Sequence, residues 1–387
     1  MPEVDPMSFL NPEGVPPLVA SMMVRLERHL PHPGEVTVRQ GSRVEPEDIV
    51  ARTWQPLPPQ LIDVAHQLSI PPKQLPKVVR REVGTAVRRG DLLARSRNPL
   101  GARCRAPVDG LITAIDQTTG YLTLAPNPVE YTLSAALRGI VMEIMPSRGV
   151  VIETPATQIY GAFGIGREHS GVLRLLALDP REVVRPEQID TRSAYAILIC
   201  GAAVSAATLR RAVAEQVRGI IVGGIEEQEL RDFLGWQSPA DWAYEFSVRP
   251  TDQAHQRADT ALTLIITEGF GVRPMNQALF DLLSSQDRQE AFIDGQTSLE
   301  QPLRRPRIII PQPPGSSKQI EPPRPTLRVG ATVRLLNNSH LGQSGTVRSL
   351  PENPRRLSSG LRTAAVEVVL QDSSALWLPR SCVEVLP

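Results

Sequence analysis

Residues 161–171, which read GAFGIGREHSG, are the best candidate for a functional loop in this sequence. Four glycines surround an arginine, a glutamate and a histidine. The backbone amides of a glycine-rich loop can approach an anion closely, and cationic side chains beside them can neutralise its charge. The sequence therefore predicts an anion site formed by Gly164, Gly166, Arg167 and His169. The alternative interpretation is a glycine-rich connection between two β-strands.

Three apolar runs in the middle of the chain end in glycine, at Gly201, at Gly223 and Gly224, and at Gly269. Ligands of open α/β sheets bind just beyond the carboxyl ends of the strands, and Glu268 stands at one of these ends. These five residues form a second predicted ligand site. The alternative is that short βα loops need glycine to turn, whether or not a ligand binds. None of the ends reads GxGxxG or carries a P-loop, so no nucleotide motif is indicated.

The other residues with chemical potential are dispersed. Three widely separated cysteines predict free thiols in a reducing compartment rather than a disulfide framework. No GxSxG, HExxH or Cys-His pairing occurs, and no histidine pair has an acidic partner at metal-ligand spacing. We therefore expect no catalytic residues, no cofactor and no metal. The histidines are His29, His32, His66, His169, His255 and His340.

The elements that must position the predicted ligand sites alternate between strand and helix. Ser205 is a predicted N-cap, and the acidic residues at 226–229 favour a helix start because a helix N-terminus is positive. This alternation predicts βαβ crossovers and a parallel sheet. The predicted strands and helices follow one another at 195–201, 206–217, 219–224, 226 onward, 263–271 and 275–285.

Two internal repeats organise the first 154 residues. Residues 41–52 match residues 84–95 at five positions with identical spacing, and each copy predicts strands around a glycine turn with positive φ. Residues 110–124 match residues 139–153, and each of these copies predicts a β-hairpin.

Residues 84–94, GTAVRRGDLLA, and residues 106–112, APVDGLI, resemble the biotinyl/lipoyl-type barrel-sandwich hybrid. A similar module forms part of the Rnf electron-transport complex. The resemblance covers roughly residues 32–125 and implies a β fold. Carrier members of this family attach their cofactor to a lysine in a hairpin turn, and this chain has no lysine between Lys77 and Lys318. The resemblance therefore implies a structural module without attached biotin or lipoate.

A proline-rich segment separates the central part from the C-terminal one. Residues 302–325 carry eight prolines and predict a semi-rigid linker, within which Ile308–Ile310 predicts one further strand of the α/β unit. After the linker, residues 333–347 resemble the KOW motif. The matching residues are Val333, Arg334, Leu335, Gly342, Gly345 and Val347.

The KOW resemblance implies an SH3-like β-barrel over residues 326–387 that binds RNA or protein. Arginines near the motif predict a basic patch, with a solvated loop as the alternative for residues 352–362. The predicted partner-binding residues are Arg334, His340, Arg348, Arg355, Arg356 and Arg362.

Positive and negative charges nearly balance, with 42 Lys and Arg against 41 Asp and Glu. This balance excludes bulk polyanion binding, although it allows a local basic patch. No apolar run approaches the roughly 18 residues of a transmembrane helix, and no signal peptide is visible. The sequence predicts a cytoplasmic protein without membrane contact.

These patterns predict a multidomain α+β and α/β chain with N-terminal barrel-sandwich hybrid β modules, a central βαβ parallel-sheet unit and a C-terminal SH3-like β-barrel. A non-catalytic adaptor, whose terminal module contacts RNA, a ribonucleoprotein or a protein, is the preferred function. The alternative is an enzyme or enzyme subunit that binds a small anionic metabolite at the glycine-rich strand ends. The predicted boundaries are 1–31 for an N-terminal extension, 32–154 for the β region, 155–311 for the α/β domain, 312–325 for the linker and 326–387 for the terminal barrel.

Overall fold

The computed structural model describes residues 18–96, 101–235, 261–297, 305–312, 327–336, 340 and 342–386. Strands make up 46% of it and helices 15%, and the strands form several sheets. Buried apolar side chains gather in four clusters, so the chain has a multidomain character. The predicted linker lies almost entirely outside the described residues.

The N-terminal part is built from short strands and two one-turn helices. The helices are α1 (Val64–Gln67) and α2 (Leu75–Val78). The strands are β1 (Leu18–His29), β2 (Glu35–Val36), β3 (Arg43–Val44), β4 (Ile49–Gln55), β5 (Gln60–Asp63), β6 (Ala86–Val87), β7 (Leu92–Arg95), β8 (Arg103–Arg105), β9 (Gly110–Ile115), β10 (Tyr121–Pro126), β11 (Val129–Ser134), β12 (Gly139–Met145) and β13 (Gly149–Tyr160).

One N-terminal β module is inserted into another. Strands β4 and β11 pair antiparallel, with Gln55 opposite Val129, so the chain leaves and re-enters the outer module at one place. Residues 60–126, the inner module, enclose their own apolar core. The outer module, residues 18–55 and 129–156, encloses a second core. The segment predicted as one region, 32–154, thus contains two cores.

The sequence repeats have equivalent hydrogen bonds in the two modules. Gly41 and Gly84 have φ of 82° and 86°, as the repeat predicts. Each donates a backbone hydrogen bond of 2.7 Å to the facing strand, to Val141 and Ile112 respectively. Both predicted hairpins form, β9 with β10 and β12 with β13. The repeat is therefore a repeat of structure, split in the outer module by the insertion.

The central part is a mixed sheet with three helices. The helices are α3 (Ala206–Ala214), α4 (Glu227–Leu234) and α5 (Gln277–Ser285). The strands are β14 (Phe163–Ile165), β15 (Glu168–Leu175), β16 (Val183–Val184), β17 (Ala196–Ile199), β18 (Ala203–Val204), β19 (Gly219–Ile225), β20 (Thr263–Phe270), β21 (Glu290–Asp294) and β22 (Arg307–Pro311).

Strands β15, β17, β19 and β20 are parallel neighbours, which confirms the predicted parallel sheet. The Ser205 side chain accepts a hydrogen bond from the Thr208 amide and caps α3, also as predicted. Strand β22 contains the predicted Ile308–Ile310 run. It pairs with β21 on one side and β13 on the other, so it joins the central sheet to the outer module.

The C-terminal part holds a five-stranded antiparallel sheet in the order β28-β27-β24-β23-β29, and a separate two-stranded hairpin, β25 with β26. Its apolar core is formed mainly by valines. The strands are β23 (Thr332–Leu335), β24 (Ser344–Ser349), β25 (Arg355–Arg356), β26 (Arg362–Thr363), β27 (Ala365–Leu370), β28 (Ala375–Pro379) and β29 (Val383–Val385).

None of the helices in the described ranges is both long and apolar enough to cross a membrane.

Candidate nucleic-acid interface

The hairpin of β25 and β26 carries most of the predicted partner-binding arginines. Arg356 lies directly opposite Arg362, and Arg355 is the neighbour of Arg356 on the same strand. All three side chains are exposed, as is Arg348 on β24. We call these four arginines, together with Trp377, the arginine surface.

Trp377 of β28 gives this surface an aromatic component. The guanidinium carbon of Arg355 lies 3.8 Å from the centroid of the Trp377 ring, which is a close cation–π contact. Trp377 lies opposite Glu367 in the strand pair, and its side chain is half-buried. Sequence reasoning did not single out Trp377, because an aromatic residue in a run such as ALWLP is ordinarily part of a core.

The charge of the C-terminal part is unevenly used. Residues 327–386 contain seven arginines and four acidic residues. One of each, Arg334 and Glu384, is buried in an ion pair with 3.2 Å between Nη1 and Oε2. The remaining charges leave an excess of cations, and most of that excess lies on the arginine surface. A local positive potential therefore exists on a chain that is nearly neutral overall.

Arg334 and His340, the other two predicted contacts, have different surroundings. Arg334 is 8% exposed and also forms an ion pair with Glu268 of the central sheet. His340 is half-buried near Asp372. The pKa of Asp372 is lowered mainly by hydrogen bonds from Ser374, with a smaller contribution from His340. The arginine surface does not include either residue.

Residues 161–171 form a strand, a turn and a second strand, which is the alternative interpretation of this glycine-rich segment. Gly164 lies in β14, where its amide donates to the Thr297 hydroxyl at 2.8 Å. Gly166 makes the turn with φ of 92°. A Cβ atom at Gly166 would lie 2.5 Å from the Leu262 carbonyl oxygen, so the turn packs tightly against its neighbour.

Arg167 and His169 are tied to the adjacent strand. The Thr263 hydroxyl donates to the carbonyl of Arg167 and lies 2.7 Å from Nδ1 of His169. The Arg167 side chain is exposed, whereas His169 is half-buried. Glu168 between them forms an ion pair with Arg28 of β1. These contacts connect β15 to two other strands.

The glycines at the strand ends lie against other backbone segments. A Cβ at Gly201 would lie 2.4 Å from the Glu182 carbonyl oxygen, and one at Gly223 would lie 2.1 Å from that of Arg273. A Cβ at Gly224 would meet the Gly271 carbonyl oxygen at 2.2 Å. Glycine is therefore required here for close backbone packing.

Gly269 is buried beside Glu268, the last predicted member of the strand-end site. Glu268 accepts a hydrogen bond from the Asn276 amide at 3.0 Å in addition to its ion pair with Arg334. Both carboxylate oxygens of Glu268 thus have protein partners. The structure brings the strand-end residues together, and the segments that follow β17 and β20 pack over them.

No known protein-family model matches this chain, and no curated protein is similar to it at a significant level.

Proposed function

We propose that this protein is a non-catalytic adaptor whose C-terminal part, an SH3-like barrel of the KOW type, binds single-stranded RNA through the arginine surface. The cation–π contact between Arg355 and Trp377, flanked by three exposed arginines, is the observation that carries the proposal. Arginine neutralises phosphates and an aromatic ring stacks with bases, and single-strand binding combines these two contacts.

The arrangement favours a sequence-tolerant interface. Phosphate contacts fix position without reading bases, and an aromatic platform accepts any base because every base has a π face. In this proposal Arg355 moves from the Trp377 ring to a phosphate as a base takes its place. Arg356 and Arg362, opposite each other on the hairpin, hold the following phosphates.

The N-terminal modules have a structural role in this proposal. We infer that each is a barrel-sandwich hybrid, because the repeated turn and hairpin have the same hydrogen bonds in both copies. Neither copy carries a lysine in its hairpin, so no cofactor is attached in either. The backbone segments that cover the strand-end glycines favour this adaptor function over metabolite binding at those ends.

The test is a titration of the full chain with fluorescent single-stranded RNA at several salt concentrations. If three to five phosphates are neutralised, log affinity falls with log salt with a slope of about −2 to −3.5. Absence of binding even at low salt overturns the proposed RNA contact and leaves a protein as the partner of this module.

A further inference from the structure

A cleft of about 480 Å³ lies on the central sheet, away from both predicted ligand sites. We call it the β15 cleft. Its floor includes Val172 and Arg174 of β15, and one wall is formed by Arg192 and Tyr195, which precede β17. The volume is in the range of small-molecule sites, about 300–1,000 Å³.

The floor of this cleft is open where a sheet of this kind is usually covered. Strand β15 has hydrogen-bonded neighbours on both sides, β17 and β21. Parallel strands with helices on both faces are normally buried on both, yet Val172 is 46% exposed. Within the described residues, this central strand therefore presents an accessible surface.

Two residues at the rim of the cleft have left-handed backbone conformations. Tyr195 has φ of 61° and Arg288 has φ of 67°. Residues with a Cβ atom adopt this region at an energetic cost, and a bulky residue such as tyrosine rarely does so. Strain of this kind gathers at functional sites. Glycine would avoid the strain at both positions, so their side chains have a use that outweighs it.

The polar groups of the cleft are arranged for an anion attached to a flat ring. Arg174 is held in place by Asp190 at 3.0 Å and by the Ser193 hydroxyl at 2.9 Å. The pKa of Asp190 is lowered chiefly by its hydrogen bond with Arg174, so this pair stays ionised at neutral pH. The Arg192 and Arg288 side chains are more open to solvent.

Tyr195 is fixed in orientation and available for stacking. Its hydroxyl donates to Gln216 at 2.8 Å, and the Arg218 guanidinium lies 5.5 Å from the ring centroid. Tyr195 is nevertheless 57% exposed. A second flat group can therefore stack on the ring while its charged end reaches the arginines.

We propose that the β15 cleft binds a nucleoside monophosphate, with the base against Tyr195 and the phosphate between Arg192 and Arg288. Asp287, which lies beside Arg288 in the cleft, accepts hydrogen bonds from the ribose hydroxyls. Neutral and cationic ligands are disfavoured because three arginines face the cleft. This site is separate from the arginine surface and does not depend on RNA binding there.

The test is calorimetric titration of the full chain with AMP and UMP, with adenosine and inorganic phosphate as partial probes. We expect saturable binding of one monophosphate per chain, and binding at least tenfold weaker for either partial probe. Arg192→Ala should weaken monophosphate binding at least tenfold. Arg181→Ala, which removes an exposed arginine outside the cleft, should not change it.

Arg288→Gly separates binding from folding. Glycine relieves the left-handed backbone strain, so the thermal midpoint should be equal to or higher than that of the wild type, while monophosphate affinity should fall at least tenfold. The proposal is overturned if no monophosphate binds at millimolar concentration, if adenosine binds as tightly as AMP, or if Arg288→Gly retains full affinity.

Discussion

Arg334 of the C-terminal sheet forms an ion pair with Glu268 of the central sheet. Its guanidinium also donates to the Thr267 carbonyl at 2.8 Å and to Glu384 at 3.2 Å. The second oxygen of Glu384 lies 2.6 Å from Nη2 of Arg305, without the alignment of a hydrogen bond. This buried cluster of two arginines and two glutamates joins the two sheets.

Arg334→Met should destabilise the whole chain. The variant leaves the carboxylates of Glu268 and Glu384 buried without one of their cationic partners, and breaking a buried pair costs about 3–5 kcal/mol. Chemical denaturation of the full chain measures the effect. Arg348→Ala, at an exposed position of the same sheet, is the control and should change stability by no more than about 0.5 kcal/mol. Additive effects of Arg334→Met and Glu268→Gln in a double-mutant cycle would show that the pair is not coupled.

Gly41→Ala and Gly84→Ala should destabilise the protein to a similar extent. Both glycines have positive φ and open space around the Cβ position, so the cost is backbone strain of about 1–2 kcal/mol. Gly139→Ala should cost more, because its Cβ would lie 2.6 Å from the Glu153 carbonyl oxygen. Denaturant midpoints of the three variants check this order. A neutral Gly84→Ala beside a damaging Gly41→Ala would contradict the equivalence of the two modules.

The three cysteines should resist alkylation in the native protein. Cys104, Cys200 and Cys382 are buried, and burial raises the pKa of each thiol. Since the thiolate is the nucleophile, labelling with a thiol reagent at neutral pH should be slow until denaturant exposes all three. Rapid labelling of any one of them in the folded protein would contradict this burial.

Alkaline pH should destabilise the fold partly through Cys200. The folded state holds the thiol proton to higher pH than the unfolded state, whose cysteine pKa is about 8.5. The contribution of Cys200 is therefore complete below that pH and is lost as pH rises through the raised pKa of the folded state. Thermal midpoints measured between neutral and alkaline pH should fall less steeply for Cys200→Ala than for the wild type. Equal slopes would exclude this cause.

Trp377→Leu should weaken RNA binding without changing its salt dependence. The substitution keeps an apolar side chain but removes the stacking platform, which is worth about 1–3 kcal/mol per base. Stacking releases no counterions, so the slope of log affinity against log salt should stay that of the wild type. Thermal unfolding serves as the control for folding. Unchanged affinity would remove Trp377 from the interface.

The local elements of this fold follow from local sequence signals. Runs of Ile and Leu predicted β17, β19 and β20, and Ser205 predicted the start of α3 because its side chain satisfies a helix amide. The glycine turns of the repeats were predictable because φ near 80° excludes most other residues. These signals act within a few residues of one another.

The nested modules and the buried ion cluster could not be predicted in this way. Gln55 and Val129 pair across the whole inner module, and Arg334 and Glu268 are 66 residues apart. Contacts of this separation depend on how complete units pack, and a single arginine has the same local sequence whether it is buried or exposed. The arginines near the KOW-like motif therefore divided into one buried residue and an exposed group.

The central claim is that the arginine surface binds RNA phosphates, and one comparison tests it most directly. Fluorescence anisotropy with single-stranded RNA should be measured across salt concentrations for the full chain and for the triple variant Arg355→Ala, Arg356→Ala, Arg362→Ala. Each lost phosphate contact removes about 0.7 from the slope, so the variant should bind more weakly and with a slope less negative by about 2. A control triple, Arg88→Ala, Arg89→Ala, Arg103→Ala, removes exposed arginines of the inner module and should bind like the wild type. Equal affinity and slope for the wild type and the first variant would contradict the claim.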